Sequence, residues 1–144
     1  MPRSARCVGG AGASSASLGR FVSRILIADD NRDCADSLAL LLEHRGHETS
    51  TVYGGQQAVD EAQRFGPDVV ILDIDMPGLD GYQAARILRT ANATRPLLVA
   101  FTAVAGAGQK RRARDVGFDY HFVKPADLMA MLDLVGPDKE GLGH

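Results

Sequence analysis

The chain has 144 residues, enough for one domain around a single core. Hydrophobic residues make up 45% and charged residues 24%, ordinary shares for a globular domain. A formal charge of −2 supplies no basic field to recruit nucleic acid or anionic lipid, and apolar runs such as Leu97 to Phe101 have strand length, far from the roughly 20 residues that span a bilayer.

Met1 to Gly19 is mostly Ala, Ser and Gly, with Arg3 and Arg6 and no periodicity. Gly9, Gly10, Gly12, Ser14 and Ser15 interrupt any signal-peptide core. Residues 1–22 are therefore expected to be a disordered tail, 23–136 the folded domain and 137–144 a flexible end.

Within the central region, short apolar runs alternate with amphipathic segments. Arg24 to Ala28 predicts a buried strand ending at Asp29-Asp30-Asn31. A helix follows from Arg32 to Arg45, with Ala35, Leu38, Leu41 and Leu42 inward and Gly46 as its stop. His47 to Tyr53 is a weakly alternating, β-branched strand. Gly54 to Phe65 is helical, with Ala58, Val59 and Ala62 inward, and Gly66-Pro67 ends it.

Asp68 to Leu72 is the clearest strand and runs into Asp73. A loop, Met76 to Gly81, leads to a helix from Tyr82 to Ala91. Leu97 to Phe101 is the fourth strand and ends at Thr102. The basic segment Gln109 to Val116 is helical, Phe118 to Val123 is the fifth strand, and a last helix spans Ala126 to Val135 after Lys124-Pro125. Five such units imply a parallel sheet with helices on both faces, and the continuous apolar strands suit a sheet buried on both sides.

Asp29 and Asp30 close the first strand, Asp73 the third, Thr102 the fourth and Lys124 the fifth. The carboxyl ends of an open parallel sheet share one edge, so these residues converge on one site. Three carboxylates held together need a cation or must protonate. Lys124 offsets one charge, and a remaining set of oxygen ligands suits Mg²⁺ better than Zn²⁺. Mg²⁺ beside an exposed carboxylate, with a hydroxyl and a lysine nearby, is an arrangement for phosphoryl transfer to that carboxylate.

The segments Ile27 to Asn31, Leu72 to Gly81, Phe101 to Ala103 and Val123 to Pro125 resemble, in order, the four signature blocks of two-component response-regulator receivers. The resemblance spans about Arg24 to Val135. It implies a flavodoxin-like, doubly wound α/β fold with strand order 2-1-3-4-5. It implies that Asp73 is the phosphoacceptor, that Asp30 binds Mg²⁺ directly and Asp29 largely through water, and that Asp75 contributes its backbone carbonyl. Lys124 would pair with Asp73 or the phosphoryl group, before a cis Pro125, and Thr102 would move toward a phosphoryl oxygen past the small Ala103. His121 stands where many receivers carry a switching Tyr or Phe, three residues before the lysine; its packing in that role and its response to pH depart from the common pattern.

The implied function is a signalling switch, not a metabolic enzyme, that takes phosphoryl from a histidine kinase or histidine phosphotransfer protein and acts on a downstream protein. Neither direct nucleic-acid contact nor a membrane is implied, and two unframed cysteines, Cys7 and Cys34, suit a reducing cytoplasm. Two rivals are a phosphoaspartyl hydrolase, which Asp75 two residues beyond Asp73 would suit, and a pseudo-receiver that binds without phosphorylation. Cys34, in the first turn of a helix, is read as a passive small residue, although the helix dipole there could lower its pKa. Lys110 to Arg114 is read as a solvated helix face, with a docking surface as the alternative. The four histidines lack metal-ligand spacing.

Overall fold

The structure is a computed structural model that describes residues 23–91, 95–103 and 106–135. The two terminal tails expected from the sequence lie outside the described residues. Five parallel strands, β1 (Arg24–Ala28), β2 (Glu48–Val52), β3 (Val69–Leu72), β4 (Leu97–Thr102) and β5 (Tyr120–Val123), form one sheet in the order β2-β1-β3-β4-β5. The helices between and after them are α1 (Arg32–His44), α2 (Gly55–Phe65), α3 (Gly81–Ala91), α4 (Ala107–Val116) and α5 (Leu128–Leu134).

Strand alternation divides the core in two. Leu26, Ala28, Val70, Leu72, Leu98 and Ala100 face α2, α3 and α4, whereas Ile25, Ile27, Val69, Ile71, Val99 and Phe101 face α1 and α5. Both faces of the central strands are covered, which explains their unbroken apolar runs. None of the described helices is long and apolar enough to cross a membrane.

Several boundaries differ from the sequence expectation. In α1 the buried stripe is Ala35, Leu38, Ala39 and Leu42, while Leu41 is 42% exposed. Those four follow the i, i+3, i+4, i+7 spacing of one helix face, and Leu41 falls off it. Helix α4 starts two residues before the expected Gln109. Strand β5 begins at Tyr120 and not Phe118, because the Phe118 amide donates to the Ala113 carbonyl at 2.9 Å and closes the end of α4 at left-handed Gly117. Helix α5 begins two residues late: the Asp127 amide donates to the Val123 carbonyl at 2.8 Å, and the Val123 amide donates to the Asp127 carboxylate at 2.9 Å, making a turn there instead.

Candidate functional site

The order of strands reverses between β1 and β3, and loops leaving those two strands diverge there. Asp29 and Asp73 sit side by side because Ala28 pairs with Leu72, and the Asp73 amide donates to the Ala28 carbonyl at 2.9 Å. Thr102 ends β4, and Lys124 follows β5 with its amide on the Thr102 carbonyl at 2.9 Å. A cavity of about 520 Å³ at this edge is lined by Asp30, Asp73, Asp75, Thr102, Ala103 and Lys124, together with Asn31 and Cys34. The predicted residues therefore meet, with Asp29 buried at 4% exposure beside the cavity lining, apart from His121, which lies opposite Ala100 on β5.

The carboxylate oxygens of Asp29, Asp30 and Asp73 lie within 4.8 Å of one another. Their environments differ. Asp29 is buried, accepts the Asn31 amide at 2.9 Å and takes the Lys124 ammonium as its close ion-pair partner. Asp73 is nearly buried and lies 3.5 Å from the same ammonium. Asp30 is exposed and its carboxylate has no protein partner among the described residues. The expected Lys124–Asp73 pair is thus present as the longer of two contacts, with Asp29 the nearer anion.

Burial raises the Asp73 carboxyl from the usual 3.8 to about 6, and the Asp29 charge adds to that rise, against the opposing pull of Lys124 and a hydrogen bond from the Thr102 hydroxyl. Burial works against the Lys124 charge as well, yet the Asp29 hydrogen bond and the charges of Asp73 and Asp29 hold its pKa above the ordinary value. One cation therefore pairs with two of the three carboxylates, leaving unbalanced negative charge on an all-oxygen donor set. Such a set is matched by a hard divalent cation and poorly by Zn²⁺.

Stability should follow from the raised carboxyl. Folded Asp73 holds its proton more tightly than the unfolded chain does, so its contribution is complete below about pH 3.8 and lost as pH rises through about 6. Metal-free protein should lose on the order of 1–2 kcal/mol through this group between pH 4 and 7, allowing for solvent screening. Urea denaturation with chelator should show that loss in wild type and not in Asp73→Asn. A stability difference between the two that stays flat with pH would count against it.

Cys34 behaves oppositely to what the helix dipole alone would give: burial, then the Asp29 charge, push its thiol pKa up. Asn31 was not singled out in the sequence. Its amide oxygen accepts the Cys34 N–H at 3.1 Å as the α1 N-cap, while its own N–H fixes Asp29. The legible signal was an Asn directly before a helical stripe.

The response regulator receiver domain model matches residues 25–136. The chain belongs to that family. A receiver is a phosphoryl-accepting switch of two-component signalling, and the β2-β1-β3-β4-β5 sheet is its fold. Sensor protein GacS of Pseudomonas syringae pv. syringae is 37% identical over 116 residues, covering 78% of this chain and 13% of that protein. Response regulator MprA of Mycolicibacterium vanbaalenii is 35% identical over 128 residues, covering 84% of this chain and 54% of that one. The N-terminal receiver domain of RstA from Klebsiella pneumoniae superposes with a TM-score of 0.69 at 26% identity, over 77% of this chain and 96% of that domain. The receiver described here thus spans about half the length of MprA and a far smaller share of GacS.

Proposed function

We propose that residues 23–136 form a receiver phosphorylated on Asp73, with Mg²⁺ held by Asp30 and Asp73, by Asp29 largely through water, and by the Asp75 backbone carbonyl. The observation that carries this reading is the meeting of three carboxylates, Thr102 and Lys124 around one open cavity. Bound Mg²⁺ would supply charge neutralisation for the transferring phosphoryl group and favour the ionised form of Asp73.

The chain's own residues account for the rest. An Asp73 carboxylate oxygen attacks phosphorus, a P–O bond forms, and the bond to the donor breaks with its electron pair leaving on the donor. Lys124 stays charged and lies beside the acceptor, where it stabilises the added negative charge. The Thr102 hydroxyl, now bonded to the Asp73 carboxyl, is available to a phosphoryl oxygen once that carboxyl becomes an acyl phosphate. Asp29 keeps Lys124 at the site whichever partner Asp73 takes.

The donors in this reading are a histidine kinase or histidine phosphotransfer protein in the cytoplasm, and the recipient of the signal is a further protein. The receiver catalyses only its own phosphorylation and dephosphorylation. Incubation with acetyl phosphate and Mg²⁺ should add one phosphoryl group per chain by intact mass, and chelation should abolish the gain. Sustained multiple turnover of phosphate monoesters would favour the phosphoaspartyl hydrolase instead, and no mass gain under any donor would leave a pseudo-receiver.

A further inference from the structure

His121 lies on the edge strand β5. Its neighbours Tyr120 and Phe122 stack their rings on the α1–α5 side, 6.1 Å apart and nearly parallel. His121 therefore points to the other side, opposite Ala100 and toward α4. Both imidazole nitrogens are buried there and neither has a hydrogen-bond partner. A neutral imidazole carries one donor and one acceptor, so this placement leaves both unsatisfied. Packing between β5 and α4 holds such a ring, and its strand is the edge of the sheet.

We propose that His121 is a positioning residue through which acid shifts the α4–β5 surface: the neutral ring stays in the seam between β5 and α4, and the protonated ring leaves it for solvent. The charged groups facing the ring decide the sign. Helix α4 presents Lys110, the turn before α5 presents Asp127, and β4 presents the uncharged Ala100. The Asp127 carboxylate already accepts the Val123 amide at 2.9 Å, which leaves Lys110 the stronger influence. Burial first, and then the Lys110 charge, lower the imidazole pKa from 6.5, with the residue's own backbone and then Asp127 partly opposing. A ring rotated into water regains the ordinary value. Acidification below 6.5 therefore favours the outward ring, and the inward ring dominates at neutral pH.

The connection to phosphorylation rests on the reading of Asp73 given above. Thr102 pairs with Val123 in the register where Ala100 pairs with His121, so its side chain lies on the same face of the sheet as the imidazole. Its hydroxyl is bonded to the Asp73 carboxyl. The seam thus receives two inputs, one from the phosphoacceptor and one from solvent pH.

The test is an NMR titration from pH 5 to 8 of the His121 imidazole and of the α4 and β5 amides, in wild type, Lys110→Gln and His121→Phe. The His121 midpoint should lie below 6.5 and rise in Lys110→Gln. Amide shifts at Lys110 to Val116 and Tyr120 to Val123 should carry a component that follows that midpoint in wild type and is missing in His121→Phe, where only the Asp73 titration remains. A midpoint at or above 6.5, or surface amides that titrate unchanged in His121→Phe, would overturn the proposal. Both variants keep Asp73, Thr102 and Lys124, so phosphoryl gain can be weighed on the same samples. Missing gain with an intact titration overturns the phosphorylation reading alone, and the reverse overturns the His121 proposal alone.

Discussion

Asp73→Asn protein should gain no phosphoryl group from acetyl phosphate under conditions that fully load the wild type. The substitution keeps the shape of the side chain and removes its nucleophilic, charged oxygen pair. Folding should not suffer, since the wild-type carboxyl already sits in surroundings that favour its neutral form. Loss of phosphorylation in a variant at least as stable as wild type therefore isolates chemistry from structure. Asp30→Asn should be milder, slowing phosphorylation through weaker metal binding by at least the roughly 10–100-fold lost when groups that merely orient metal ligands are removed. Asp30 is the informative partner because it is exposed and unpaired among the described residues, whereas Asp29 is already committed to Lys124 and the Asn31 amide. Intact mass and a Mg²⁺ titration read both effects. Wild-type mass gain persisting in Asp73→Asn would remove Asp73 from its role.

Gly81→Ala should be among the most destabilising small substitutions in the chain. Gly81 opens α3 directly beneath the loop that follows β3, and its amide donates to the Ile74 carbonyl at 2.9 Å. An added Cβ would lie 2.6 Å from the Ile74 Cα and closer still to the Asp73 carbonyl oxygen. Both obstacles are backbone, so no rotamer change relieves the overlap. Either α3 shifts away from the sheet or the Asp73 loop is pushed out of place. Overpacking against fixed backbone costs about 3 kcal/mol or more, enough to lower the urea midpoint sharply. Phosphorylation of the folded fraction should fall as well, because the acceptor's own carbonyl is the group displaced. A midpoint within error of wild type would show that the loop yields freely, and the account of how Asp73 is held would be wrong.

The sequence alone determined the architecture and the membership of the site. Strands covered on both faces must be apolar throughout, so Val69 to Leu72 and Leu97 to Phe101 are recognisable without neighbours. Parallel connection then places their carboxyl ends on one edge, which is why Asp29, Asp30, Asp73, Thr102 and Lys124 could be gathered from positions up to a hundred residues apart. Tertiary structure alone decided how they divide their roles. Lys124 could serve either of two carboxylates, and backbone placement gives it the nearer contact with Asp29 and the longer one with Asp73. Burial first, and then the neighbouring Asp29 charge, raise the carboxyl of Asp73 and the thiol of Cys34, and both depend on what packs around a group and not on its type. The same holds for Gly81, whose missing Cβ matters because a loop passes over it, and for His121, whose nitrogens lack partners because of what faces β5. Periodicity records which side of an element is buried; the identity of the atoms opposite is set when the elements dock.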